Sequence, residues 1–341
     1  MSLEFTLAGI MLVALTFYVL FGGADYGAGV WSMFATGPRA PAQREAIAKA
    51  IGPIWEANHV WLILVVTVLF TAFPKAFAVL STRLHIPLSL MLIGIVLRGS
   101  AFAFRTNDVV PKSQSEAGAQ RFWERVFAVS SVFTPIMLGT IIGALASGRL
   151  TGRPSSFVEA FVRAWATPFC FTVGLLALAL FALLAAMYLL LEAKEDALRE
   201  DFRRRALWAA VIADAIAGMV VLLSSDASPE IRSHLVHTSV GLAIVAAAGA
   251  SALGVLVCLW QRRYRVAFLC TVGEVTLILW GWAFAQYPYL ITPDVTIADA
   301  APVQTLQLVL AVLLLGALML FPSLYYLYRV FKGGSILRAL E

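Results

Sequence analysis

Long apolar stretches, broken by short polar segments, run the length of this chain. About 20 consecutive apolar residues cross a hydrocarbon core of roughly 30 Å as a helix. The pattern predicts nine such spans, at about 5–31, 54–73, 83–105, 123–147, 167–191, 205–224, 237–260, 266–286 and 303–329. The third begins near His85 and ends between Arg98 and Phe104. The predicted architecture is all-α and polytopic: two four-helix bundles, from helices 1–4 (5–147) and helices 5–8 (167–286), plus one peripheral helix (303–329), all in a single integral membrane domain. The polar segments are too short to fold alone. One of them, KEDALREDFRRR, carries opposite charges at helical spacing and predicts extension of the fifth and sixth helices into water. SSDASPEIRSHLVH and QYPYLITPDVTIADAAP are acidic or neutral and contain turn residues, which suits the opposite face.

Composition agrees with this pattern. The chain is 61% hydrophobic and 13% charged, against about 25% charged in soluble domains. The net charge of +5 does not point to nucleic acid, because the positive residues lie in short loops, where they orient a membrane protein. Most of the 25 Lys and Arg fall on one side: Arg39, Arg44 and Lys49; Arg98, Arg105, Lys112, Arg121 and Arg125; Lys194 and Arg199 to Arg205; Arg262 to Arg265; and Arg329, Lys332 and Arg338. That asymmetry puts the N-terminus outside and the C-terminus in the cytoplasm. The N-terminal run lacks a basic region and carries Glu4, so it reads as an uncleaved first helix. Cys170, Cys258 and Cys270 lie in or beside apolar segments and have neither disulfide-framework nor metal-site spacing.

Ionisable groups inside a bilayer are costly and mark function by default. Four acids qualify: Asp25, Glu56, Asp214 and Glu274. Each, taken alone, is equally well an acid that locks two helices together. Asp25 lies in GGADYGAGV, whose small residues allow close approach by a neighbouring helix; no strand–turn–helix context makes this a phosphate loop. Glu56 follows Gly52-Pro53, and proline suits a first helical turn. The helix dipole favours a carboxylate there. At 100° per residue, Trp55, Asn58, His59 and Leu62 share a face, Glu56 lies to one side, and Trp61 points roughly 140° away from Glu56. Tryptophans at such a position are also ordinary interfacial anchors. His59, His85, His234 and His237 are the four histidines, and neither His59 nor His85 has a partner at the depth haem ligation requires.

Three stretches carry a resemblance: GADYG (Gly23 to Gly27), IGPIWEANHVWL with AFPKAF after it (Ile51 to Phe77), and QYPYLITP (Gln286 to Pro293). On these the chain resembles subunit II of the cytochrome bd-type quinol oxidases, over essentially its whole length. The family's first motif usually reads D-G-F-D. Here its first acid is Gly22, its Phe is Ala24, and its second acid is Asp25. The second motif often has Asp where this chain has Glu56.

The resemblance implies a multi-pass protein of the bacterial cytoplasmic membrane that forms a heterodimer with a haem-bearing subunit I. That partner holds the haem b and haem d groups and the quinol site, and this chain binds no haem. The complex oxidises quinol outside and reduces dioxygen to water with cytoplasmic protons. A structural quinone or lipid in this subunit stays open. The implied roles are a proton pathway through Glu56, Asp25, His59 and Asn58, and a dioxygen route or interface at Trp61 and Trp55. Asp214 and Glu274 are expected to be structural and protein-facing, and no catalytic residue or metal ligand is assigned to the chain. Asp25 and Glu56 should lie at similar depth. Two other readings are a secondary transporter or proton channel, and a purely structural assembly subunit. The transporter predicts broken helices, whereas Pro87, Pro135, Pro168 and Pro322 fall mostly near span ends.

Overall fold

The computed structural model describes residues 2–51, 55–104, 114–150 and 155–332. Gly52 and Pro53, expected in a first helical turn, and Arg105, Lys112 and Arg338 lie outside the described residues.

The chain opens with α1 (Leu3–Phe17), which passes through a five-residue π segment (Tyr18–Gly22) into α2 (Gly23–Met33), forming one continuous span. A surface helix, α3 (Ala40–Ile51), follows, with Ile47 buried and Arg44, Glu45 and Lys49 outward. Then come α4 (Trp55–Ala72), α5 (Pro74–Arg83), α6 (His85–Phe104) and α7 (Gln114–Ala146). After α8 (Phe157–Phe161) come α9 (Pro168–Glu192), α10 (Asp196–Ala227), α11 (Pro229–His237), α12 (Ser239–Trp260) and α13 (Tyr264–Gln286). An antiparallel hairpin, β1 (Tyr289–Ile291) with β2 (Val295–Thr296), leads into α14 (Val303–Lys332). Among the described residues, nine helical stretches are long and apolar enough to cross a membrane: α1–α2, α4, α6, α7, α9, α10, α12, α13 and α14.

Local chemistry explains several boundaries. Pro74 and Pro168 occupy first turns, where the missing N–H costs nothing. Thr167 and Thr238 cap α9 and α12 by accepting from the Cys170 and Gly241 N–H groups. Pro135 and Pro322 sit within α7 and α14 without ending them.

Helix α9 is the axis of the fold. Leu183, Leu184, Ala186, Met187 and Leu190 are buried along it, and α2, α7, α10 and α13 pack around it. Close approach relies on glycine. A Cβ at Gly139 of α7 would lie 2.6 Å from the Val173 carbonyl oxygen, and one at Gly174 of α9 would lie 2.5 Å from that of Ile136. Without a hydrophobic drive between helices in lipid, such small-residue contacts supply the packing. α14 leans on α4 and α1 and leaves Leu308, Leu315, Leu318 and Met319 outward, as a peripheral helix in lipid would.

Two expectations need correction. KEDALREDFRRR extends only the sixth helix. α9 ends at Glu192, Ala193 turns extended, and α10 begins at Asp196. Lys194 thus follows a helix C-terminus while Glu195 and Asp196 open the next helix, the charge order that the two helix dipoles favour. Arg203 and Arg204 bind Glu200 at 2.7 and 3.3 Å, and Asp201 binds Arg39 at 2.6 Å, tying α10 to the start of α3. The second correction is Arg98. It lies inside α6, 2% exposed, and not in a loop.

Candidate functional site

The site grows from the irregular first span. Eight residues of regular α-helix would separate Tyr18 from Tyr26 by about 80° and 12 Å along the axis. The π segment between them changes that phase, and the Tyr18 hydroxyl donates to the Tyr26 hydroxyl at 3.4 Å. Both tyrosines are 1% exposed. Asp25, half-buried in the first turn of α2, accepts a hydrogen bond at 2.5 Å from the Asn58 side-chain amide on α4. Asn58 itself is buried.

Arg98 enters this cluster from α6. Its Nε donates to Ser131 Oγ of α7 at 3.3 Å. Its guanidinium lies 4.5 Å from the Tyr26 ring centre, 5.2 Å from Phe127 and 5.9 Å from Trp55. Cation–π contact of this kind is strongest where water is excluded. Nη2 is buried without a hydrogen-bond partner. His59 completes the group, with the Trp55, Tyr18 and Tyr26 rings centred 5.9, 6.0 and 6.3 Å from its own. A permanent cation, an acid, an amide, an imidazole and two phenols thus share one largely buried cluster.

Of the residues singled out in the sequence, Asp25, Asn58 and His59 come together here. Glu56 does not join them. It is exposed and lines an open groove between α4 and α6 with Trp55, Gly99, Ser100 and Phe102 to Phe104. Trp55 borders both places, lining the groove while lying beside His59 and Arg98. Asn58 reaches Asp25, and Glu56 is two residues before Asn58, about 3 Å along α4. Trp61, one turn further along α4, is buried against Phe17 at 4.6 Å and Phe321 of α14 at 6.3 Å. Its surroundings are apolar, unlike those of Glu56. Asp214 and Glu274 lie elsewhere, on α10 and α13, with Glu274 2% exposed.

Arg98, Ser131, Tyr18 and Tyr26 were missed in the sequence. For Arg98 a signal existed: the apolar run MLIGIVL before it continues as GSAFAF after it, so the span does not end there. Aromatic rings take up the surroundings of His59, and His85 and His234 meet the Thr82 and Ala285 carbonyls at 2.9 and 2.8 Å. Among the described residues, no three His, Cys, Asp or Glu side chains converge as a metal site.

Comparison with known proteins places this geometry in context. The family model described as cytochrome bd terminal oxidase subunit II matches residues 3–331. The putative cytochrome bd menaquinol oxidase subunit II of Bacillus subtilis is 22% identical over 331 residues, covering 92% of this chain and 91% of that protein. The cytochrome bd-I ubiquinol oxidase subunit 2 of Escherichia coli K12 is 25% identical over 142 residues, 42% of this chain and 35% of its own length. A chain in the structure of the bd oxidase from Geobacillus thermodenitrificans shares the fold, with a TM-score of 0.80 and 21% identity across 98% of this chain and 100% of that one.

Proposed function

Because this chain belongs to the cytochrome bd terminal oxidase subunit II family, we propose that, within the quinol oxidase complex of which it is a subunit, it brings cytoplasmic protons and dioxygen toward a haem-bearing partner. The observation that carries this reading is the Asn58–Asp25 hydrogen bond, which joins the motif of the first span to that of the second. Glu56, at the mouth of the groove, collects protons. Asp25, Asn58, His59 and the tyrosine pair hold the water that carries them inward past Trp55. Arg98 supplies a permanent positive charge in the same pocket. Trp61, with Phe17 and Phe321, lines an apolar route suited to dioxygen, which dissolves in lipid.

The topology supports the direction of flow. Arg39, Arg44, Lys49, Arg199 and Arg203 gather at the end of the bundle where α3 meets the start of α10, and positive residues favour the cytoplasm. The Glu56 groove opens near that same end, at the first turn of α4. The N-terminus is then outside and the C-terminus inside. Quinol oxidation and the haem b and haem d groups belong to the partner in this reading. Haem absorption and oxygen chemistry are what the partner supplies; this chain's part is proton and gas delivery and assembly. The first two spans lie at or near the heterodimer contact. Asp214 and Glu274 serve packing.

The test is oxygen consumption against pH in the assembled complex. Glu56→Gln keeps size and hydrogen bonding but removes the titrating proton, so turnover should fall with haem content and subunit association intact. Trp61→Ala should change the apparent affinity for dioxygen and leave the pH profile alone. A Glu56→Gln enzyme that runs at the wild-type rate throughout the pH range overturns the entry role and leaves a carboxylate that merely caps a helix start.

A further inference from the structure

The start of α10 and the turn from α12 into α13 meet at one end of the bundle. Arg203 Nη1 donates to the Leu259 carbonyl at 3.4 Å, so that part of α10 stands level with the last turn of α12. Glu200, one turn earlier on α10, binds three guanidiniums: Arg203 at 2.7 Å, Arg204 at 3.3 Å and Arg262 at 3.5 Å. One carboxylate among three permanent cations leaves a local excess of positive charge. Arg263, next to Arg262, is exposed and belongs to none of the ion pairs among the described residues.

These arginines are not equivalent. Arg203 is 14% exposed and is committed to Glu200 and the Leu259 carbonyl. Arg204 and Arg262 are 71% and 66% exposed. Arg204 meets Glu200 through Nε, which leaves its planar Nη fork to an outside acceptor. Arg262 stands just past the C-cap of α12 with a φ of 59°. Glycine is the usual residue at that left-handed position. Here the position carries a long cation that reaches across to Glu200 on α10.

The surface next to the arginines is apolar. Trp208 follows Arg204 by four residues, on the same face of α10, and is 69% exposed. Trp260, just before the turn, is 80% exposed. Exposed aliphatic side chains continue from each tryptophan toward the middle of its helix: Ile212 on α10, and Val257 and Leu253 on α12. The two helices pack on each other, and both are long and apolar enough to cross a membrane. Tryptophans at such a level mark the boundary between membrane and water. The cations therefore stand at headgroup level, directly over a strip that faces hydrocarbon.

We propose that this end of α10 and α12 binds an anionic phospholipid, with Arg204, Arg262 and Arg263 on its phosphate and its acyl chains along Trp208, Trp260 and the aliphatic strip. Charge complementarity and the adjoining strip select that occupant. A soluble partner meets the arginines but not the part of the strip inside the bilayer, and a free phosphate leaves the whole strip uncovered. Guanidinium forks match phosphate oxygens. A headgroup with its own ammonium brings another cation to a site that already has an excess, so the site favours a headgroup without one, as in phosphatidylglycerol. The lipid site does not rest on the proposed proton route.

Titration of phosphatidylglycerol into the detergent-solubilised complex, read by native mass spectrometry, tests this. Each arginine near a membrane surface is worth about fivefold in affinity for anionic lipid. Arg262→Gly, which suits the left-handed turn, should therefore weaken binding about fivefold, and Arg204→Gln combined with it roughly 25-fold. Arg44→Gln removes the same charge from α3 and should leave the affinity unchanged. Phosphatidylcholine should bind more weakly than phosphatidylglycerol, and inorganic phosphate should not displace the lipid. Haem content should match wild type throughout. Equal binding of the two lipids overturns the proposal, as does an Arg44→Gln loss equal to that of Arg262→Gly, which would mean diffuse attraction. Displacement by inorganic phosphate would reveal a free-anion site instead. If the double variant fails to assemble, an unchanged affinity in Arg262→Gly is by itself enough to overturn it.

Discussion

Gly27→Ala asks whether the small-residue run of α2 exists for contact with α9. A Cβ at Gly27 would lie 1.9 Å from the Phe181 carbonyl oxygen, 2.5 Å from its carbon and 2.8 Å from Ala185 Cβ. Carbon and oxygen rest at about 3.3–3.6 Å even in favourable C–H···O contacts, so the two helices must part by more than ~1 Å locally. The first two obstacles are backbone atoms, which no rotamer change can move. Inserting one carbon into a packed core costs roughly 1–3 kcal/mol, and Gly27 belongs at the top of that range. Gly23 provides a graded comparison. Its added Cβ would meet the Phe181 ring at 2.6 and 2.8 Å, and a ring can turn, so Gly23→Ala should cost less. Gly9 has nothing within 4 Å; alanine there should be neutral or gain up to ~1 kcal/mol from helix propensity. The assay is the thermal midpoint of the purified complex, with haem content as the measure of assembly. Turnover should follow, because Asp25 is two residues from Gly27 and any shift of α2 stretches the 2.5 Å bond from Asn58. If the three variants melt alike, close approach to α9 is not the purpose of the run.

Replacing Arg98 by Met removes a buried charge but keeps most of the volume, a change that is often tolerated or stabilising. The complex should assemble, lose up to ~2 kcal/mol of cation–π attraction, and turn over more slowly per haem; wild-type turnover would show that the cation has no part in proton movement. At the other end of the bundle, Lys75 binds Asp299 at 2.7 Å, and that ammonium, with the Thr296 N–H and hydroxyl, holds the Asp299 carboxyl at about 2. Its unfolded value is about 3.9, so the clamp is fully present above that pH and is lost as pH falls toward about 2. Proteolysis of the 287–301 loop should therefore quicken only in that acid window, and Asp299→Asn should quicken it at every pH. An unchanged cleavage rate in the variant would mean that the hairpin holds without the ion pair.

The membrane spans were legible from the sequence because the bilayer imposes a length. A helix must stay apolar for about 20 residues, and nothing elsewhere in the chain needs to be known to see it. The bounds of α6 and α13, His85–Phe104 and Tyr264–Gln286, lie close to the apolar runs that predict them. The roles of Gly27 and Asn58 were half-visible, as a packing face and a polar turn, but their partners were not, since Phe181 and Asp25 are brought to them only by tertiary packing. Glu56 and Asn58 sit two residues apart, and the helix phase that sends one to an exposed groove and the other into a buried pocket acquires meaning only once α2 and α6 are in place. Arg98 reads in the sequence as a loop charge because a cation near a span end normally snorkels to water. The rings of Tyr26, Phe127 and Trp55 and the Ser131 hydroxyl, from three other helices, make its burial tolerable. Asp214 and Glu274 are 60 positions apart, and periodicity along either helix says nothing of the other. Where the two stand depends on how α10 and α13 sit about α9, a relation between helices that local pattern does not encode.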